Sequence, residues 1–363
     1  MSDDYRGQAD ALDARIRTAI SEDALDEQAF DALACAVFAH QFRWNEPYAA
    51  YARSRGVAED ALPRTAGAIP AVPAAAFKDA VLCTVAPERA AMWFETSGTT
   101  QARSGRHYLE TPALYEAALL AGFDRALLAD GVPLRYALLV PDPRERPHSS
   151  LGYMMATVAR ERGTGEAGWY LRGDRLDLAG LTDGVARARA DGVAVCLATT
   201  AFALVALLDE LHAAGRSLPL PPGSRVMETG GYKGRTRIVG RDELYASAAA
   251  AFAIDEAAIV AEYGMTELSS QYYDSAASRR APPRIKVPVP WLRPIVVDVS
   301  GRPLPHGVVG AIRHVDCANR SSVVAIDTED LGALTADGLL LLGREEGAAL
   351  RGCSLDAEDL RRR

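Results

Sequence analysis

The chain has 363 residues, of which 49% are hydrophobic and 24% are charged, a balance typical of a globular enzyme with a sizeable core. Its formal net charge of −8 disfavours a nucleic-acid partner, because an acidic surface repels a phosphate backbone. The charge-free stretch 193–208 is too short to span a bilayer, and the acidic N-terminus does not resemble a signal peptide. We therefore expect a cytoplasmic protein without a membrane span.

The N-terminal part of the chain carries a helical pattern. Apolar residues recur at helical spacing with no intervening strand signal, which predicts a helical segment, residues 1–90, packed on the core. From residue 91 to 342, short apolar runs alternate with helix-length stretches, which predicts an α/β core with a mostly parallel sheet between helices. Strands are expected at Tyr136–Val140, Val193–Leu197 and Ile259–Ala261, and helices at Pro112–Leu128 and Phe202–Ala214.

The last part of the core has a different sequence pattern. Proline-dense sequence is followed by short β-like runs, which predicts a small β-rich subdomain at about 283–342. Trp291 is expected to anchor the proline-rich crossover in the core. A polar tail, residues 343–363, closes the chain.

The strongest signal for chemistry is the run Glu95–Ser104, which is rich in Ser, Thr and Gly. Hydroxyls and bare backbone N–H groups at Ser97, Gly98, Thr99 and Thr100 can wrap phosphate oxygens. The run is not a Walker A loop, since it lacks the glycine-lysine pair at the required spacing. An ordinary hairpin turn has the same composition, so the run alone does not establish a phosphate site.

A second cluster, Glu228–Arg235, follows a predicted strand and contains three glycines. Adjacent Gly230 and Gly231 indicate either a close approach of the backbone to a ligand or a tight turn.

The third cluster, Glu262–Glu267, also follows a predicted strand, where open α/β sheets place ligand sites. Tyr263 can stack on a base, Thr266 can bind a phosphate, and Glu267 can ligate Mg²⁺ as a hard oxygen donor. Taken singly, Tyr263 is more simply explained as a core residue and Glu267 as a solvated charge.

The five cysteines are scattered and odd in number, which disfavours a disulfide framework and favours a reducing compartment. Cys35, Cys83 and Cys196 lie in apolar runs and are expected to be inert, whereas Cys317, at a strand end, is ambiguous. Cys353 lies among polar residues with arginines nearby and a predicted helix start after it, surroundings that favour the thiolate. An incidental surface cysteine is the alternative.

In combination and in order, the motifs TSGTT, Gly-Gly, YGMTE, TEDLG and Gly-Arg resemble the adenylate-forming superfamily that includes acyl-CoA ligases. The strings ETGGYKGR, EYGMTELSSQYY and LLGRxxxxxxRGCSL are similar to its LuxE/PaaK-like branch, the acyl-protein synthetases, over roughly the last three-quarters of the chain. The resemblance implies the large-domain fold of these enzymes, helix-flanked and mostly parallel. It also implies ATP and Mg²⁺ as cofactors and a carboxylic acid as substrate.

The resemblance further implies roles for particular residues. The phosphates and metal of MgATP would be held by Ser97, Gly98, Thr99 and Thr100 at the β- and γ-phosphates, Thr266 at the α-phosphate, and Glu267 at Mg²⁺. The adenosine and carboxylate sites would be formed by Gly230, Gly231, Tyr263 and Gly264, by Asp330 at the ribose hydroxyls with Arg344 nearby, and by His148 beside the carboxylate. The match at His148 is loose, and a loop histidine is the alternative; His107 and Lys233 are further candidates without a specific signal.

The sequence departs from the wider superfamily in two places. Gln101-Ala102-Arg103 stands where many relatives have Gly-x-Pro-Lys, so Arg103 or Arg106 would have to replace the lysine at the γ-phosphate. The residues after Gly343 are too few for the mobile C-terminal domain that carries a catalytic lysine in acyl-CoA ligases. The acyl-protein synthetases are similarly short, and Cys353 matches the cysteine that takes the acyl group in them.

We therefore expect ATP-dependent activation of a carboxylic acid, with fatty acid as the family's usual substrate, and transfer of the acyl group to Cys353. A reductase partner would be the next acceptor. One alternative is a ligase that delivers the acyl group to CoA or to a carrier protein. An alternative of another class is a non-catalytic subunit that keeps the fold for partner binding. This alternative is disfavoured by the presence of all the residues named for the site, including Thr99, Thr266, Glu267, Asp330 and Arg344.

Overall fold

The protein is described by a computed structural model over residues 3–96, 104–173, 175–230 and 239–344. The helices in chain order are α1 (Asp3–Glu22), α2 (Glu27–Trp44), α3 (Glu46–Ser54), α4 (Ala113–Leu127), α5 (Ser150–Arg162), α6 (Leu178–Ala190), α7 (Ala201–Ala213) and α8 (Arg241–Phe252). The strands are β1 (Val72–Pro73), β2 (Met92–Glu95), β3 (Arg106–Leu109), β4 (Leu134–Leu139), β5 (Gly168–Trp169), β6 (Leu171–Arg172), β7 (Arg175–Leu176), β8 (Ala194–Thr200), β9 (Arg225–Thr229), β10 (Ile259–Tyr263), β11 (Tyr272–Asp274), β12 (Lys286–Val287), β13 (Leu292–Val297), β14 (Gly310–Asp316), β15 (Ala325–Thr335) and β16 (Gly338–Arg344). Within these ranges, no helix combines the length and the apolar character needed to cross a membrane.

The chain divides into two compact units. The first comprises Met1–Ala121, Met265–Gln271 and Ile285–Arg363, and the second comprises Gly122–Gly264 and Tyr272–Arg284.

Helices α1, α2 and α3 open the first unit and end at Ser54, before the end of the segment 1–90 that was expected to be helical. The buried side chains of α1 recur every three or four residues, as at Tyr5, Leu12 and Ile16, and form one apolar face. Helix α2 begins after Asp26, whose carboxylate accepts a hydrogen bond from Ala29 N at 2.7 Å. The burial of an apolar face and the hydrogen bond that caps the first turn of α2 together account for helical structure in this part of the chain.

The rest of the first unit is mostly antiparallel sheet, in the order β13, β14, β15, β16 and β12, with β1 parallel to β15. Strands β2 and β3 form a separate hairpin. Trp291 is fully buried beside this sheet, and its Nε1 donates to Ser270 Oγ at 3.0 Å. Antiparallel strands thus occupy the part of the chain that contains the short β-like runs, and Trp291 is buried in the core as expected.

The second unit contains the predicted parallel sheet. Strands β5, β4, β8, β9 and β10 lie side by side in parallel, and β11 pairs with β10 in the antiparallel direction. Thr200 ends β8 and its hydroxyl accepts from Ala203 N at 3.1 Å, so the strand leads directly into α7. Fully buried side chains such as Leu197, Leu204 and Val226 form the apolar core between strands and helices. Parallel pairing places the carboxyl ends of β4, β9 and β10 at one edge of this sheet.

Candidate functional site

The β2–β3 hairpin fixes both ends of the predicted phosphate loop. Thr96 N donates to Gly105 O at 2.9 Å, and Gly105 N donates to the Thr96 hydroxyl at 2.9 Å. A Cβ atom on Gly105 would lie 2.8 Å from the main chain of Phe77, so this closure has room only for glycine. The loop residues named from the sequence, Ser97, Gly98, Thr99 and Thr100, lie outside the described residues. The structure thus defines the base of the loop.

The Thr266–Glu267 turn lies beside this base. The turn is closed by Leu268 N, which donates to Met265 O at 3.1 Å. The Thr266 hydroxyl is 3.5 Å from the main-chain oxygen of Glu95, the last residue of β2. Two motifs separated by 171 residues in sequence therefore meet at one place in the first unit.

Glu267 is buried, with only 8% of the residue exposed to solvent. Burial removes a carboxylate from water, and this cost is offset when a cation or donors take the place of water. A single carboxylate suits Mg²⁺ that takes its remaining ligands from phosphate oxygens and water. Across the described ranges, no group of three or more His, Cys, Asp or Glu side chains could hold a metal by itself. The donor set thus fits a metal that arrives with a nucleotide.

Two buried side chains support this turn from within the first unit. His107 Nδ1 lies 2.7 Å from Thr266 O, and Asn319 Nδ2 donates to Glu267 O at 2.9 Å. His107 Nε2 lies 2.8 Å from Asn319 Oδ1, which joins the two side chains. Burial lowers the pKa of His107, while its contacts with Thr266 O and Asn319 Oδ1 act in the opposite direction. Sequence reasoning named His107 only as a residue without a specific signal and missed Asn319, which no motif marks.

The chain just after Glu267 is held by the buried carboxylate of Asp316. Its oxygens accept from the N–H groups of Ser269 and Ser270 at 2.9 Å and from the Ser270 hydroxyl at 2.9 Å. Burial raises the pKa of Asp316 to about 6, while these donors act in the opposite direction. Because the donors satisfy the carboxylate, the segment after the turn has a defined position.

Asp330 and Arg344 occupy opposite positions on neighbouring strands. They are Cα partners in the antiparallel β15–β16 ladder. Asp330 is half-buried, and its N–H donates to the Thr328 hydroxyl at 3.2 Å. The two residues that the sequence assigned to the ribose region are therefore neighbours in the first unit.

In the second unit, Gly230 and Tyr263 lie at the carboxyl ends of adjacent strands. Gly230 follows β9 and has φ +81°, a conformation that side chains other than glycine rarely adopt. Tyr263 ends β10, is half-buried, and has its ring centroid 5.7 Å from that of Tyr272. Between these ends, the Thr229 hydroxyl donates to the buried carboxylate of Glu262. Gly264 follows Tyr263 and is half-buried, and Gly231 lies outside the described residues.

His148 lies in the segment that follows β4, a strand of the parallel sheet. It is half-buried in the turn between β4 and α5, next to Ser149, whose hydroxyl accepts from Gly152 N at 3.1 Å. Since β4 is parallel to β8, β9 and β10, His148 follows a carboxyl end as Gly230 and Tyr263 do.

Most of the cysteines have surroundings that suppress reactivity. Cys83, Cys196 and Cys317 are buried and Cys35 is half-buried, with all four thiols free. Burial raises the pKa of Cys35 and Cys83 to about 11 and that of Cys196 to about 12, and it raises the pKa of Cys317 strongly. Burial thus accounts for the expected inertness of Cys35, Cys83 and Cys196, and it gives Cys317, which the sequence left ambiguous, the same surroundings. Cys353 lies outside the described residues.

A cavity of about 800 Å³ lies within the second unit. Its lining includes Arg144, Arg160, Trp169 and Tyr170, and none of the residues assigned to the site from the sequence. Arg144 and Arg160 are paired with acidic neighbours. The cavity is therefore separate from the candidate site residues.

No protein-family model matches the chain, and no curated protein matches it by sequence. Solved structures do match its fold. The 2-hydroxyisobutyryl-CoA ligase, solved in an open conformation with 2-HIB-AMP and CoA, has a TM-score of 0.66 at 14% identity, over 90% of this chain and 76% of its own. ATP-bound MatB from Rhodopseudomonas palustris has a TM-score of 0.51 at 17% identity, over 72% of this chain and 49% of its own. McyG A-PCP, complexed with phenylalanyl-adenylate, has a TM-score of 0.51 at 18% identity, over 72% of this chain and 42% of its own.

The chain thus spans less than half of the MatB and McyG chains that it matches. At sequence identities of 14%, 17% and 18%, the similarity to these structures is a similarity of fold. The predicted fold is confirmed: the chain has the α/β fold of the large domain of adenylate-forming enzymes.

Proposed function

We propose that this protein activates a carboxylic acid with MgATP, forming an acyl-adenylate and pyrophosphate. The observation that carries the proposal is the meeting of the Thr266–Glu267 turn with the closed base of the loop that begins at Ser97. A hydroxyl, a buried carboxylate and a Ser/Thr/Gly-rich loop are the groups that binding of a polyphosphate and its metal requires.

In the proposed reaction, a carboxylate oxygen attacks the α-phosphorus of ATP. A new P–O bond forms, the bond between the α-phosphorus and the bridging oxygen breaks, and pyrophosphate leaves with the electron pair. The reaction brings anions together, so oriented donors must stabilise the charge that develops. Thr266 would donate to an α-phosphate oxygen, and the loop of Ser97, Gly98, Thr99 and Thr100 would hold the other phosphates. Magnesium, held by Glu267, would offset the negative charge of the phosphate oxygens.

The remaining site residues would bind and orient the two substrates. Asp330 would accept the ribose hydroxyls, with Arg344 opposite it in the ladder. Tyr263 would pack on adenine, and the glycines Gly230, Gly231 and Gly264 would let the ligand approach the main chain. His148 would lie beside the substrate carboxylate.

We further propose that the acyl group passes to Cys353. The thiolate would attack the acyl carbonyl carbon, a thioester would form, and AMP would leave. The four described thiols have raised pKa values and are poor nucleophiles, which leaves Cys353 as the candidate acceptor within the chain. Delivery to a reductase partner would follow, and a fatty acid would be the substrate. These steps rest on the resemblance to the acyl-protein synthetases.

A second candidate function is delivery of the acyl group to CoA or a carrier protein. The structural match to a ligase solved with CoA favours this alternative. The two candidates differ in where a labelled acid ends after incubation with ATP. Label that survives denaturation on the protein and is released by hydroxylamine supports Cys353, whereas labelled acyl-CoA with an unlabelled chain supports the ligase.

Exchange of labelled pyrophosphate into ATP, measured over a panel of acids, tests the activation step. We expect exchange that depends on one class of acid and on Mg²⁺. No exchange with any acid, together with no binding of ATP, would favour a non-catalytic subunit that retains the fold.

A further inference from the structure

The two carbonyl groups that flank the side chain of Glu267 are each held by a different buried side chain. His107 Nδ1 lies 2.7 Å from Thr266 O, and Asn319 Nδ2 lies 2.9 Å from Glu267 O. His107 is 0% exposed and Asn319 is 1% exposed, so water does not compete for these contacts. Both residues are distant in sequence from the turn that they support.

The orientation of the Asn319 amide follows from its neighbours. Its Nδ2 donates to Glu267 O at 2.9 Å and to Val323 O at 2.8 Å, so both amide hydrogens have acceptors. Rotating the amide by half a turn would place Oδ1 against two carbonyl oxygens. Asn319 therefore presents its nitrogen to the turn and its oxygen to His107 Nε2, at 2.8 Å.

Fixing these carbonyls fixes the direction of the Glu267 side chain. Each peptide group is planar, so holding its oxygen sets the orientation of the whole plane. The Thr266 carbonyl belongs to the peptide group before Glu267, and the Glu267 carbonyl belongs to the one after it. With both planes held, the φ and ψ angles of Glu267 are set, and with them the direction of its Cα–Cβ bond.

We propose that His107 and Asn319 are positioning residues that aim the Glu267 carboxylate for the activation step. In this arrangement His107 donates through Nδ1 to Thr266 O, and Asn319 donates through Nδ2 to Glu267 O. The catalytic part of this inference rests on the proposed function, in which Glu267 holds the metal of MgATP. Neither residue touches the reacting atoms in this scheme.

Two conservative substitutions at His107 separate positioning from simple packing. In His107→Asn, the side-chain nitrogen has about the reach of Nδ1 and can still donate to Thr266 O. In His107→Gln, the nitrogen has about the reach of Nε2, so it can meet Asn319 but not Thr266 O. Both substitutions remove the ring that lies edge-on to Phe77, with centroids 6.0 Å apart. Asn is smaller than Gln and loses more packing, so packing alone would loosen the turn more in His107→Asn.

The first measurement is hydrogen–deuterium exchange of the segment 265–270 in the three proteins without ligand. Its protected N–H groups include Leu268, bonded to Met265 O, and Ser269, bonded to Asp316. We expect faster exchange in His107→Gln than in His107→Asn, which should stay close to the unsubstituted protein. Equal exchange in the two variants, or faster exchange in His107→Asn, would overturn the positioning role.

The second measurement is pyrophosphate exchange in the same proteins. For His107→Gln we expect kcat to fall by on the order of 100-fold with KM for ATP little changed, since a misplaced metal ligand stabilises the developing charge less well while the other contacts still bind ATP. His107→Asn should recover most of this loss. Similar kcat in the two variants would overturn the catalytic consequence. An inactive unsubstituted protein would instead contradict the proposed function, and the deuterium result would still decide whether His107 holds the turn.

Discussion

His40 should make the protein lose stability as the pH falls. The residue is on α2, is 3% exposed, and neither ring nitrogen has a hydrogen-bond partner. Burial is the main cause that lowers the pKa of His40 from 6.5 to about 4, and the nearby positive charge of Arg320 lowers it further. The negative charge of Glu110 acts in the opposite direction. Between the two pKa values, His40 is therefore protonated in the unfolded chain and neutral in the folded protein.

The sign and size of the effect follow from linkage. Because the folded pKa is lower than the unfolded one, the stability is fully present above pH 6.5 and is lost as the pH falls toward about 4. At about 1.4 kcal/mol for each pKa unit, we expect a loss of roughly 2 kcal/mol between pH 8 and pH 5. His40→Phe keeps an aromatic ring next to Tyr5, whose ring centroid is 5.2 Å away, and removes the titration.

Urea unfolding at pH 8, 6 and 5 measures this effect. The stability of the unsubstituted protein should fall more steeply toward pH 5 than that of His40→Phe, by roughly 2 kcal/mol. His306→Gln serves as the control, because His306 is exposed, and its curve should run parallel to that of the unsubstituted protein. Parallel curves for His40→Phe would refute the reasoning.

Three further substitutions test the proposed site. Glu267→Gln should abolish Mg²⁺-dependent pyrophosphate exchange while weak binding of ATP persists, because the amide is a poor metal ligand; normal exchange would end the metal assignment. Asp330→Ala should weaken ATP binding by about 1.5–3 kcal/mol in calorimetry, since the ribose would lose a charged acceptor, and unchanged affinity would make Asp330 a structural residue of β15. Cys353→Ser should leave exchange nearly intact and remove hydroxylamine-labile acyl label from the protein, as a serine hydroxyl is the poorer nucleophile; acyl label on Cys317 in mass spectra would contradict the assignment of Cys353.

The architecture followed from local patterns in the sequence. Apolar spacing in α1 and the alternation of strands with helices from β4 to β10 reflect which faces are buried, and this information is local. The strand that leads into α7 was also predictable, because Thr200 is a good helix cap.

The support of the Thr266–Glu267 turn could not be read in the same way. His107 meets Asn319 across 212 residues, and no periodicity or spacing encodes a contact of that separation. Asn319 also lies in no recognisable motif, so its role depends on the folded backbone that brings it to Glu267 O. Sequence motifs identified the residues that we propose contact the ligand. The buried residues that support them could be identified only from the structure.

The origin of the oxygen atoms in AMP tests the central claim most directly. The protein is incubated with MgATP, hydroxylamine as acceptor, and a competent acid labelled with ¹⁸O in its carboxylate, and the AMP is analysed by mass spectrometry. Attack of the carboxylate on the α-phosphorus predicts AMP that carries one ¹⁸O atom per hydroxamate formed. Hydroxamate formed together with unlabelled AMP, or with ADP and labelled phosphate, would contradict activation through an acyl-adenylate.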